Sequence, residues 1–164
     1  MREAILTYFA GEKSAGVLVA LVGLLDLAAA LFFSQPRWEL RPLALTLGVL
    51  ALVEMAIGVG LFLRTGPQVD QLLAQLASEA ARFYAEEGAR MAKVQRNFVT
   101  LEYLWITLVT VGAIVAVTQK HRPWISGIAL GLLLNAAFLL AFDLVAERRG
   151  AIYLREIERA ASGE

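Results

Sequence analysis

Cysteine is absent from the 164 residues, and histidine occurs once, at His121. The first absence excludes disulfides, zinc–thiolate centres and thiol redox chemistry. The second excludes a haem held between two histidines of one chain. No nucleophile–base–orienter set is present, no histidine and acid stand at metal-ligand spacing, and no glycine-rich phosphate loop occurs. Neither enzymatic activity nor a cofactor is therefore expected, and no nucleic-acid partner. Basic residues are missing altogether from four stretches, 16–34, 43–63, 99–118 and 124–145.

Those stretches are where hydrocarbon is concentrated. Apolar residues make up 59% of the chain, and the mean hydropathy of +0.63 is too high for an ordinary soluble domain. Crossing a bilayer core takes about 20 residues, so each stretch is long enough to span. Only the first could pass for a signal peptide; it is too long for the apolar part of one and lacks a small-residue cleavage site. The expectation is an all-α, polytopic protein with four transmembrane helices in a single membrane domain covering residues 1–164.

Charge supplies the orientation. Net charge is zero, with 15 basic residues against 15 acidic. Eleven of the basic residues lie before the first span, between the second and third, or after the fourth; Arg37, Arg41, Lys120 and Arg122 lie in the two short loops. By the positive-inside rule both termini and the central segment are cytoplasmic, in a plasma (inner) membrane. Trp38 and Trp124 read as interfacial anchors, and Pro42 and Pro123 stand where helices can begin. Twelve residues separate Pro42 from Glu54, and twelve separate Pro123 from Asn135, as in a duplicated two-helix unit.

The segment between the second and third spans differs in kind. Thr65 reads as a cap and Pro67 as a helix opener. Val69, Leu73, Leu76, Ala80 and Phe83 then follow a 4,3,4,3 spacing, which Met91, Val94 and Phe98 resume. The expectation is a long cytoplasmic amphipathic helix over about 67–97, whose seam over 69–98 offers a surface to a protein partner or a second copy. Residues 1–13 read as an amphipathic lead-in at the inner interface. The segment after residue 145 reads as a continuation of the fourth helix, able to pack on the central one.

Each span also carries a stripe of small or polar residues. These are Gly16, Ala20, Gly23, Asp26 and Ala30; then Ala51, Glu54 and Gly58; then Thr100, Tyr103, Thr107 and Thr110; then Gly127, Gly131 and Asn135. Small residues let membrane helices approach closely, so the four stripes are expected to face one another, leaving leucine and valine for lipid. Asp26, Glu54 and Asn135 fall near mid-span, with Thr107 and Thr110 close by. Glu102 and Asp143 lie nearer the cytoplasmic interface, and Tyr103 and Trp105 read as part of the inner aromatic belt.

An acid at mid-span costs roughly 2.5–3.5 kcal/mol and marks a functional candidate by default. No cation within the spans can pair with Asp26 or Glu54. Four states remain for them: protonated, bound to an ion, solvated in a water-filled cavity, or paired with another subunit. A proton shared between the two would make the site sensitive to pH. Oxygen ligands of this kind suit H⁺, Na⁺, Mg²⁺ or Ca²⁺ rather than Zn²⁺ or Cu²⁺. Four helices enclose little volume, so the leading expectation is a homo-oligomeric channel or transporter subunit for protons or small cations. Its candidate residues are Asp26, Glu54, Asn135, Thr107 and Thr110, with Glu102 and Asp143 secondary. The alternatives are a membrane scaffold or sensor that recruits a partner through the central helix, and a bundle that binds a lipid or small molecule.

Overall fold

An α-helix rises 1.5 Å per residue, so about 20 residues cross the roughly 30 Å of bilayer hydrocarbon. The helices of this protein are far longer. The computed structural model describes residues 1–35 and 40–163, and contains α1 (Arg2–Phe33), α2 (Arg41–Ser78), α3 (Ala80–Thr118) and α4 (Pro123–Ser162). They are 32, 38, 39 and 40 residues long. All four contain a window long and apolar enough to cross a membrane. Their surplus length projects to the end that carries both termini, forming a terminal bundle from residues 2–13, 64–78, 80–97 and 146–162. The end of α1, the start of α2 and the connection 119–122 lie at the opposite end. Pro42 and Pro123 stand in the first turns of α2 and α4, where a missing N–H goes unnoticed. Trp38 and Arg37 lie outside the described residues.

The single long helix expected over 67–97 is replaced by two. α2 runs through Pro67 to Ser78, so Pro67 opens nothing. Thr65 is buried within that helix, and its hydroxyl donates to the Leu61 carbonyl rather than capping an end. Glu79 alone leaves helical geometry (φ −142°, ψ 61°), ending α2 and starting α3. Across the break the Gln75 side-chain amide donates to Glu86 at 2.7 Å. A straight helix would separate those two residues by about 16 Å along its axis. The chain therefore turns back sharply at Glu79.

The turn is held by packing. Ile5, Tyr8 and Phe9 of α1, Leu72 of α2, Phe83 and Met91 of α3, and Tyr153 and Ile157 of α4 form one buried cluster, with Val69, Leu73, Leu76 and Val94 packed against it. The seam of the central segment is thus covered by this chain's own ends and calls for no partner by itself. Residues 1–13, expected as an amphipathic lead-in, join this bundle. They begin α1, and three of their side chains are core.

In the spans, α1 pairs with α2 and α3 with α4, and the two hairpins join mainly through α2 and α4. Gly16 and Gly58 bring α1 and α2 together: a Cβ on Gly58 would stand 2.5 Å from the Gly16 carbonyl. At the loop end α2 and α4 meet where Gly127 lies on Pro42 and Gly131 on Thr46. Ala30, Leu43 and Leu47 close that end, with Leu130 against them. Leu25, Leu31, Leu52, Ile114 and Val117 are left on the outer surface, as a lipid-facing belt requires. The α3 stripe does not join the others. Thr100, Tyr103, Thr107 and Thr110 are all exposed, because α3 packs on α4 through Gly112 against Ala129 and Leu133 instead.

Candidate binding cavity and mid-span acid cluster

Three of the sequence-predicted residues meet at mid-span. The Asn135 amide of α4 donates to Glu54 Oε1 of α2 at 2.6 Å, and the Asp26 carboxyl of α1 lies close by. Asn135 therefore stands near two acids on two other helices and is hydrogen-bonded to one of them. Their environments differ. Glu54 is 2% exposed, whereas Asp26 is only half-buried. The second oxygen of Glu54, Oε2, is buried with no hydrogen-bond partner. A buried, unpaired polar atom costs about 1–3 kcal/mol, so something outside the chain is expected to meet it.

That oxygen's residue lines a cavity of about 500 Å³ between the two hairpins. Glu54 and Asn135 line it at mid-span, with Leu50 and Leu132 about a turn further toward the loop end. Val19, Ile57, Leu61, Phe98, Leu101, Leu108, Leu139 and Phe142 make its walls, and Tyr8, Glu12, Arg64, Arg90 and Arg149 stand where it reaches the terminal bundle. From Glu54 to Arg64 the cavity follows α2 for roughly 15 Å. Toward the loop end α2 and α4 approach closely at Gly127 and Gly131, and on these two helices the cavity lining reaches no further than Leu50 and Leu132.

The polar end is ordered by its own contacts. Arg90 forms two bonds to the buried Glu87 carboxylate, at 2.6 and 2.7 Å. Arg64 lies 3.6 Å from Glu12, which also accepts the Tyr8 hydroxyl at 2.9 Å. Tyr8 stacks on Tyr153 at 4.6 Å. The Tyr153 hydroxyl lies beside Glu87 without a hydrogen bond of good geometry. Burial, aided by Glu12 for Tyr8 and by Glu87 for Tyr153, pushes both phenols well above their ordinary value near 10.

The other predicted residues separate from the cluster. Thr107 and Thr110 face outward, and the Thr107 hydroxyl donates to the Tyr103 carbonyl of its own helix at 2.7 Å. Asp143 lines the cavity and accepts the Trp105 indole N–H at 2.7 Å. Trp105 is thus a cavity residue. Glu102 faces Glu147 and Asp143 along the α3–α4 contact. Among the described residues no group of three or more acids and histidines is arranged to hold a metal ion.

Sequence reading missed Trp105, Arg64, Arg90 and Arg149 as site residues. The available signal was positional: Arg64 directly follows the apolar stretch of α2 and Arg149 lies one turn past that of α4, where a cation can reach back along the helix. The chain matches no family model, no curated protein and no solved structure, so the cavity is interpreted from its own geometry.

Proposed function

We propose that this protein is a non-enzymatic, membrane-embedded binding protein for an amphipathic molecule. Its cavity takes the apolar body of the ligand, and Glu54 with Asn135 takes a hydrogen-bond-donating tip such as a hydroxyl or an amine. The single observation that carries this is Glu54, which lines an apolar cavity and whose Oε2 is buried without a hydrogen-bond partner. The volume falls within the range of small-molecule sites, about 300–1,000 Å³, which combine apolar walls with a few placed polar groups. Walls of this kind disfavour water, and hydrocarbon from the bilayer is the natural competitor. The positive-inside pattern puts the cavity mouth, both termini and the terminal bundle in the cytoplasm of an inner membrane.

Movement of protons or small cations is the second reading. It is favoured by two acids, Asp26 and Glu54, lying near Asn135 at mid-span, with Glu54 lining the cavity. The close α2–α4 contact argues that a continuous path would need a helix rearrangement or a shared axis in a homo-oligomer. Recruitment of a partner through the seam loses its main support, because α1 and α4 cover that seam.

Trp105 in the cavity wall provides the test. Brominated dodecanol and brominated dodecylamine should quench its fluorescence saturably, while brominated dodecane should only partition with the detergent. Glu54→Gln should weaken the amine by about tenfold, the scale of one charge-assisted hydrogen bond. Quenching that is unsaturable and equal for all three probes overturns the assignment.

A further inference from the structure

A second groove adjoins the cavity on the lipid-facing side of the bundle. It runs between α1 and α4, with a volume of about 350 Å³, from Ser14 and Arg149 along Leu18, Phe138, Ala141 and Val145. Ala15, Phe142 and Arg149 line both spaces, so the groove lies over a side of the main cavity.

Arg149 is fixed in place. Its Nη1 donates to the Gly11 carbonyl at 2.6 Å. A Cβ on Gly11 would stand 2.6 Å from that same nitrogen, so glycine there makes room for the guanidinium. An arginine has five N–H donors, and this contact uses one. Among the described residues no carboxylate lies within ion-pair distance of Arg149; the ion pairs formed are those of Arg64, Arg82, Arg90 and Arg159. Depth adds a second constraint. Ser14 and Arg149 stand where the apolar stretches of α1 and α4 meet the polar terminal bundle, which is headgroup level for that leaflet.

We propose that this groove binds one anionic phospholipid from the leaflet on the terminal-bundle side. Arg149 takes the phosphate through its free N–H groups, the Ser14 hydroxyl stands beside it, and one acyl chain lies along Leu18, Phe138 and Ala141. The occupant is a bilayer lipid rather than a protein helix: the groove pairs a fixed, unneutralised cation at interfacial depth with an apolar trough running towards mid-membrane. This site stands whether or not the deeper cavity holds a ligand. A lipid seated there covers the side of the cavity between Ala15 and Phe142.

Native mass spectrometry of the purified protein with phosphatidylglycerol or phosphatidylcholine tests the site. Wild type should retain one phosphatidylglycerol per chain, preferred about fivefold over phosphatidylcholine, the preference that one interfacial cation supplies. Arg149→Gln should abolish the preference, and Arg155→Gln, an exposed arginine of the terminal bundle, should keep it. Ala141→Phe obstructs the trough from its lipid side and should lower retention of both lipids without touching Arg149. That variant decides the matter if Arg149→Gln proves unstable through loss of the Gly11 contact. Equal retention of the two lipids by wild type, or an Ala141→Phe variant that retains phosphatidylglycerol as wild type does, overturns the proposal. Dodecanol quenching of Trp105 reads the deeper cavity separately, so failure at one site is distinguishable from failure at the other.

Discussion

Gly58→Ala should be among the more damaging single methyl additions in this membrane bundle. The added Cβ would stand 2.5 Å from both the Gly16 carbonyl oxygen and the Ala20 nitrogen. Ordinary contact is 3.4–4 Å, and both obstacles are backbone, so no side chain can swing aside. α1 must withdraw from α2 by about 1 Å, an overpacking cost of roughly 1–3 kcal/mol. Gly60→Ala is the matched control, because a Cβ there meets nothing within 4 Å. Both changes share the helix-propensity gain of about 1 kcal/mol over glycine. The difference between the variants therefore isolates the contact, and 1–3 kcal/mol corresponds to roughly 5- to 150-fold in the unfolding equilibrium. Reversible unfolding in mixed micelles measures it. A Gly58→Ala protein as stable as Gly60→Ala would refute the close α1–α2 approach, and with it the placement of Asp26 beside Asn135.

Three further outcomes are expected. Tyr8 and Tyr153, held neutral by burial above the ordinary phenol value near 10, should stabilise the fold below about pH 10 and cease to do so as the pH climbs beyond it. Only the unfolded chain sheds those protons there, so stability should fall with alkalinity, and tyrosinate absorbance should appear together with unfolding; Tyr8→Phe and Tyr153→Phe remove the late component. Phe83→Ala should cost about 3–5 kcal/mol, because Phe83 is fully buried in the terminal cluster, and limited proteolysis should then cut near the Glu79 turn. Single cysteines in this cysteine-free chain should report opposite sides: an impermeant thiol reagent applied outside cells should label Lys120→Cys and spare Ser162→Cys.

The spans were legible because bilayer thickness translates directly into a count of apolar residues, and the α1, α2 and α4 stripes because close approach demands small side chains. The Glu79 turn was not. Ser78, Glu79, Ala80 and Ala81 contain neither proline nor glycine, and such a sequence reads as uninterrupted helix. What bends the chain is tertiary: Phe83 and Leu72 gain burial against Ile5, Phe9 and Tyr153, partners that lie far off in sequence. Pro67 misled for the converse reason. Its missing N–H suggested a helix start, yet packing of Leu72 and Val69 beyond it carries α2 onward. On α3 the threonines suggested an inward face, but Gly112, alone in that span, decides which face α4 can approach.

Asp26 and Glu54 looked equivalent by depth, and the structure makes them unequal. Glu54 is enclosed, lines the cavity and has an oxygen to offer. Asp26 is half-buried on α1, does not line the cavity, and lies close to Asn135 without a hydrogen bond of good geometry to it. If the cavity binds an amphipathic molecule, Glu54→Gln should weaken dodecylamine about tenfold, since an amide cannot offer the charge-assisted bond. Asp26→Asn should stay within about twofold, because Asp26 does not line the cavity and a hydrogen bond in membranes is worth only about 0.6 kcal/mol. A proton or cation path makes the opposite demand. Both carboxyl groups must then exchange charge, so either amide should sharply reduce ion flux in liposomes and flatten its dependence on pH. Measured together, amine binding and flux for the two variants form a square with one pattern per reading. Unequal binding with no wild-type flux above empty liposomes leaves the binding protein. Equal loss of flux in both variants, with amine affinity unchanged by Glu54→Gln, would refute it and return the pair to ion movement.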